Sequence, residues 1–327
     1  MNIVVLIPYK ENYSKLNAGA VSIFVNDTIK ISKFKKNIKV YGSTDSKEVL
    51  NNYKNILFKK KFYQSSTNEF LKKFLNLVKE KKIDVLEIHN RPHYIKFLSI
   101  LKDSKKILYF HNDPLKMQGS SSINDRLYLI ENTDKIIFNS YWSKSRFLID
   151  LPIKTNYENK LIVIHQSTSK TKIDFKKKKK IISFIGKLNT SKGYDLFGEA
   201  IIRILNKYPD WKAVVIGDEP RQKIYFKHKN LNHLGFQKNS FILKKLKNVS
   251  IATIPSRWDE PFGRSSLEAA SRGCALIISN TGGLRETSNH ALALDEISAK
   301  NLYEKIEYLI QNKKKRIEIQ KKNIQRF

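Results

Sequence analysis

The sequence has one cysteine in 327 residues, Cys274, so no disulfide can form within the chain. That cysteine follows Gly273 in an apolar run, where it reads as a small packed residue rather than a nucleophile. No stretch approaches the roughly 18 consecutive apolar residues that cross a bilayer. The opening Met-Asn-Ile-Val-Val-Leu-Ile-Pro lacks a charged leader and a cleavage site, and is expected to be a first buried strand of a cytoplasmic protein. Zinc spacings and helical His-x3-His pairs are missing, and no metal is expected. Acids are scarce, with 30 against 62 basic residues and a net charge of +32. Such a balance draws a protein toward phosphate-rich partners: nucleic acid, anionic lipid or a charged glycan. The sign of the charge does not choose among them. A compositional bias is the plain alternative, because the chain is also rich in Ile and Asn.

The length fits two domains of about 150 residues each. Short β-rich runs alternate with amphipathic segments, which predicts parallel sheets with crossover helices, an α/β chain of two Rossmann-like domains. Expected strands are Ile3–Ile7, Ile38–Tyr41, Val85–Ile88, Ile107–Phe110 and Ile136–Phe138, then Ile181–Ile185, Lys212–Ile216, Asn232–Leu234, Val249–Ile254 and Ala275–Ser279. The expected boundaries are 1–166 for the first domain, 167–180 for a basic linker ending in Lys176–Lys180, and 181–327 for the second. Five consecutive lysines between two such units read as a solvated hinge. Helices are predicted from about Ala20, over Thr67–Lys82 and over Ser298–Gln311. The second of these carries a basic exterior. With Lys33, Lys35, Lys36, Lys39 and Lys59–Lys61 it would suit an anionic membrane surface, placing the protein peripherally on the inner face of the cell membrane.

The most informative stretch is Ile254-Pro-Ser-Arg-Trp-Asp-Glu-Pro-Phe-Gly-Arg-Ser-Ser-Leu-Glu-Ala-Ala-Ser-Arg-Gly-Cys274. It reads as strand end, loop and short helix, with Gly263 giving the turn freedom before a helix that begins near Ser265 and stops at Gly273. Amides around Gly263, Arg264 and Ser265 would cradle a diphosphate at the helix start. Glu260 and Glu268 flank that cradle with seven residues between them. A phosphate site needs no carboxylate, but acceptor-only groups suit the hydroxyls of a sugar on one side and a ribose on the other. Ser265 and Glu268 also have capping-box spacing. Two cations, Lys187 and Lys192, leave the strand end at Ile185 and would face the same diphosphate.

Pro255-Ser256, Glu260-Pro261-Phe262-Gly263, Leu267-Glu268-Ala269, Gly273 and Gly282-Gly283-Leu284-Arg285-Glu286 together resemble the signature of retaining family-4 glycosyltransferases with the GT-B fold. The resemblance implies two Rossmann-like domains facing a cleft and a metal-independent transfer with retained configuration. A nucleoside diphosphate sugar, a UDP-sugar, would be the co-substrate. A hydroxyl of a glycan or glycolipid would be the acceptor, in lipopolysaccharide or other cell-surface polysaccharide synthesis. It implies catalytic roles for Glu260, His111, Lys192 and Lys187. Donor contacts would come from Gly19, Gly186, Gly235, Phe262, Gly263, Arg264, Ser265 and Glu268, with His89 and Arg91 as acceptor-side candidates. Lys187 stands where the family most often has Arg, Ala18-Gly19 replaces Gly-Gly, and Asp218-Glu219-Pro220 replaces a glycine-rich turn. Either an abbreviated terminal crossover helix or a fragment of a longer chain is expected, since the family's usual return is longer than the sequence after Gln311. Two other readings are a nucleotide-sugar epimerase or hydrolase on the same scaffold and, more remotely, a charge-driven nucleic-acid-binding protein. The protein is expected to bind no specific nucleic acid.

Overall fold

The strands of the computed structural model alternate with helices in two successive series. The structure describes residues 1–58, 65–152, 157–169 and 171–325. Close contacts divide the chain into two units, Met1–Gln166 and Ser167–Phe327.

Among the described residues the first unit holds seven strands: β1 Ile3–Leu6, β2 Ile38–Gly42, β3 Tyr53–Asn55, β4 Val85–His89, β5 Lys105–Phe110, β6 Lys135–Phe138 and β7 Leu161–Val163. All pair in parallel, in the order β3-β2-β1-β4-β5-β6-β7. Its helices include α1 Ala20–Ile31, α2 Ser66–Val78, α3 Tyr94–Leu98, α4 Ile123–Asn132 and α5 Tyr141–Leu148. Alternation along β1 splits the core. Ile3, Val5 and Ile7 pack with Val21, Val25 and Ile29 of α1, while Val4 and Leu6 pack with Phe70, Phe74 and Val78 of α2. Of the basic set proposed for an anionic surface, Lys59–Lys61 lie outside the described residues.

The second unit repeats the plan with β8 Lys179–Ile185, β9 Lys212–Ile216, β10 Leu231–His233, β11 Val249–Ile254, β12 Ala275–Ser279 and β13 Leu292–Leu294. The order is β10-β9-β8-β11-β12-β13, again parallel throughout. Its helices include α6 Tyr194–Lys207, α7 Asn239–Leu246, α8 Arg264–Ser271, α9 Ala299–Gln311 and α10 Lys313–Gln325. Ile182, Phe184, Ile251 and Ile277 turn to the α6 and α9 side, whereas Ala252, Ile254, Leu276 and Ile278 turn to the α8 side. The strand β8 starts inside the segment expected as a linker, and Lys178 is anchored rather than solvated. Its Nζ donates to the carbonyls of Leu246 at 3.1 Å, Val249 at 2.7 Å and Arg272 at 2.7 Å. Lys170, in the same expected linker, lies outside the described residues. Among the described residues no helix is long and apolar enough to cross a membrane.

Candidate active site

Both sheets have the doubly wound order, in which strand connections run one way from the centre and then the other. A crevice opens at the carboxyl ends of the two central strands. In the second unit those strands are β8 and β11. A cavity of about 160 Å³ lies there, lined by Gly186, Lys192, Ser256, Glu260, Gly263, Arg264 and Ser265 among others. Loops far apart in sequence thus meet at the switch point of one sheet.

The loop after β8 is built to present Lys192. Asn189 caps a single 3-10 turn, Thr190–Lys192, by accepting from Lys192 N at 3.0 Å. Gly193 follows at φ 70°, and a Cβ there would stand 1.9 Å from the Pro255 carbonyl oxygen, so the turn lies directly on the loop after β11. The Ser191 carbonyl seals the contact by accepting from Arg257 N at 2.9 Å, Trp258 N at 3.0 Å and Ser256 Oγ at 3.2 Å. From the other side Gly282, at φ 56°, leaves room for the Glu260 backbone, and Gly283 N donates to the Glu260 carbonyl at 2.7 Å. Two loops and a glycine turn therefore fix Lys192 and Glu260 against each other. Lys192 Nζ lies 2.5 Å from Glu260 Oε1, which also accepts from Ser256 Oγ at 3.2 Å.

The helix end differs from the capping box that the Ser265 and Glu268 spacing allows. Gly263 is the N-cap, at φ 100°, and α8 begins at Arg264. The first intrahelical bond runs from Leu267 N to Gly263 O at 3.1 Å, so the amides of Arg264, Ser265 and Ser266 sit at the open end of the helix beside the cavity. Glu268 is buried one turn on. Arg264 Nε and Asn239 Nδ2 each donate to its Oε1 at 2.8 Å. Burial pushes the Glu268 carboxyl above the usual range, and Arg264 opposes that rise. Asn239 had no local signal in the sequence, since only the fold brings α7 beside α8. Phe262 is buried. Lys187 is exposed and not part of the cavity lining, although the adjoining Gly186 is. Gly235, at φ 64°, is exposed at the end of β10, and its carbonyl accepts from Gly217 N at 2.9 Å. The turn Asp218-Glu219-Pro220 buttresses the Lys192 loop: Asn189 Nδ2 donates to Glu219 Oε2 at 3.3 Å and Thr190 N to Gln222 Oε1 at 3.1 Å. The Arg221 fork on Glu219 holds that carboxyl down at about 2.

The remaining candidates sit at strand ends of the first unit. Gly19 is the N-cap of α1, and Glu11 reaches over it to accept from Ser22 N at 3.0 Å, so the helix end already carries a carboxylate of this chain. His111, at the end of β5, has its N–H on Asn90 Oδ1 at 3.2 Å and its carbonyl on Asn139 Nδ2 at 3.1 Å. Asn90 takes φ 57°, a conformation asparagine tolerates, to reach it. His89, at the end of β4, is 1% exposed and touches His111. Arg91 donates to the Asn90 carbonyl at 2.7 Å.

The family model for glycosyl transferases group 1 matches residues 165–326. Spore coat protein SA of Bacillus subtilis is 22% identical over 97% of this chain and 92% of its own. A 2-deoxystreptamine N-acetyl-D-glucosaminyltransferase of Niallia circulans is 29% identical over 34% of this chain and 30% of its own. Among solved structures, the Anabaena protein HepE in complex with UDP-glucose is similar with a TM-score of 0.72 at 14% identity, covering 98% of this chain and 93% of that one. Over residues 165–326 the chain is thus similar to glycosyl transferases group 1, and its two parallel-sheet units have the two-domain α/β fold of GT-B glycosyltransferases.

Proposed function

We propose that the protein is a retaining glycosyltransferase that moves a hexose-type sugar from a nucleoside diphosphate donor to a hydroxyl of a glycan or glycolipid. A UDP-sugar is the proposed donor, and cell-surface polysaccharide synthesis the proposed setting. The observation that carries the reading is the meeting of Lys192, Glu260 and the open end of α8 around one cavity. An incoming diphosphate accepts hydrogen bonds from the α8 amides and competes with Glu260 for the Lys192 ammonium. The carboxylate so released is free to accept from sugar hydroxyls, while Lys192 neutralises charge that grows on the departing nucleotide. No side chain near the cavity need act as a nucleophile, because the leaving phosphate takes the acceptor proton on the face it departs from. The UDP-glucose complex of HepE supports a nucleotide-sugar donor.

The test is a thermal-shift series with UDP, UDP-glucose and the matching GDP and ADP compounds, since binding to the folded state raises its apparent stability. A rise with UDP compounds alone fits the proposal, and no response to any nucleotide removes it. The anomeric configuration of the transferred sugar, read by magnetic resonance, tests retention.

The ion pair yields a sharper expectation for Glu260→Gln. Removing the competing carboxylate should tighten UDP binding by roughly two- to ten-fold, the scale of about 1 kcal/mol of relieved like-charge repulsion. Sugar transfer should fall steeply in the same variant, because a neutral amide accepts from the hydroxyls more weakly. Titration of UDP alongside initial rates checks both arms. Unchanged UDP affinity with intact transfer would remove Glu260 from the site.

A further inference from the structure

Two buried imidazoles of the first unit stand in a polar row that ends beside a partly exposed carboxylate. Gln166 Nε2 lies 3.2 Å from His111 Nδ1, His111 Nε2 lies 2.9 Å from His89 Nδ1, and His89 Nε2 lies 3.7 Å from Glu87 Oε2. Packing holds the rings in place: His89 stacks on Tyr109 at 4.6 Å between centroids, and Phe24 stands edge-on to His111 at 5.1 Å. A contact between two imidazole nitrogens needs one N–H and one lone pair, so the pair must adopt a direction.

The surroundings choose it. The Glu87 carboxylate attracts an N–H at His89 Nε2 and repels a lone pair there. Neutral His89 is then protonated at Nε2, and its Nδ1 can only accept. His111 consequently carries its proton at Nε2 and donates to His89, which leaves Nδ1 of His111 as the acceptor that the Gln166 amide satisfies. Turning the Gln166 amide over would suit the opposite direction, but it would set a lone pair of His89 against the carboxylate.

The geometry points to His89 as a positioning residue that fixes the tautomer of His111, so that His111 Nδ1 accepts from a sugar hydroxyl once that hydroxyl takes the place of the Gln166 amide. This rests on the transfer reaction proposed above, which supplies the hydroxyl. Gln166 lies in no helix or strand, so its amide can turn away without breaking sheet pairing. His89 takes its part through His111, without itself touching the sugar.

Three substitutions separate this role from simple packing. Asparagine places an amide where His89 Nδ1 stands and keeps an acceptor for His111. Glutamine places its amide nearer to Nε2 and does not. Phenylalanine keeps the stack on Tyr109 and removes both nitrogens. With 15N-histidine, the His111 signals, identified by their loss in His111→Asn, should show a protonated Nε2 and a bare Nδ1 in the wild type and in His89→Asn. His89→Gln and His89→Phe should show mixed tautomers. In the latter two kcat should fall roughly ten-fold with donor KM little changed, the effect of one lost hydrogen bond, while His89→Asn stays near the wild type. The same His111 tautomer in all four proteins would overturn the proposal, as would kcat values that ignore the tautomer. The resonance measurement needs no substrate, so a wild type without transferase activity would sink the proposed reaction while leaving the tautomer assignment to be judged alone.

Discussion

Lys192→Ala should lower the rate of sugar transfer by about 10²–10³-fold, the scale seen when one preorganised donor to a developing anion is removed. The ammonium is 27% exposed on its side chain and borders the cavity, so it is dry enough to act strongly and open enough to meet a ligand. Two losses combine in the variant. The charge opposite the leaving diphosphate disappears, and Glu260 loses the cation that neutralises it while keeping Ser256 Oγ at 3.2 Å. The bare carboxylate then repels the phosphates through a low-dielectric gap. UDP should therefore bind more weakly to Lys192→Ala and more tightly to Glu260→Gln, opposite signs from the two ends of one ion pair. Because Lys192 sits on a turn fixed by Asn189 and Gly193 rather than by its own ammonium, the fold should tolerate the change. Initial rates and UDP titrations on both variants test the pairing. Wild-type kcat in Lys192→Ala would take the lysine out of the reaction, and a parallel change in UDP affinity would deny that the two groups compete.

The central strands of both sheets were legible because each centres on a short β-rich apolar stretch that is largely buried. The three strands that the sequence did not betray are Tyr53–Asn55, Leu161–Val163 and Leu292–Leu294, each three residues long. Two of them are the outermost strands of the first sheet and the third ends the second. Each spans only three residues at a sheet edge, too short to stand apart from loop sequence even where, as in Leu161-Ile162-Val163, it is apolar. Glu260, Gly263 and Arg264 could be read locally, since one loop and one helix turn carry them all. The pairing of Lys192 with Glu260 could not, for it depends on β8 and β11 lying side by side. Lys178 shows the limit of charge as a signal: a run of five lysines looks solvated from composition, yet one of the five is bound on three sides by carbonyls. Gln166 and Glu87 were invisible as partners of the two histidines for a similar reason. Only the sheet order brings the ends of β4, β5 and β7 into one row.

That anchored lysine supports the last expectation: Lys178→Met should destabilise the second unit by roughly 3 kcal/mol or more. Its Nζ gathers the carbonyl of Leu246 at the end of α7, that of Arg272 just past α8 and that of Val249 at the start of β11. Two of these carbonyls close helices, where the backbone dipole leaves partial negative charge, and besides Lys178 the Leu246 and Val249 carbonyls meet Cys274 Sγ, a weak donor, at 3.5 Å. Methionine fills the volume but donates nothing, and each buried carbonyl left unpaired costs about 1–3 kcal/mol. Arginine should not restore the loss, because a planar fork cannot meet three carbonyls that converge on one point. Burial also pushes the Lys178 ammonium below its ordinary pKa. The folded state then sheds this proton at a lower pH than the unfolded state does, so wild-type stability gains as pH rises from the depressed value toward the ordinary lysine value. Lys178→Met should lack that slope. Urea unfolding of both proteins at several alkaline pH values measures the two effects together. A loss below about 1 kcal/mol, or an identical pH slope in the variant, would mean that water and not Lys178 satisfies those carbonyls. The same lysine steadies the far end of α8, whose opposite end faces the cavity, so a large loss would also show that this wall of the cavity is held from behind by the segment that looked like a hinge.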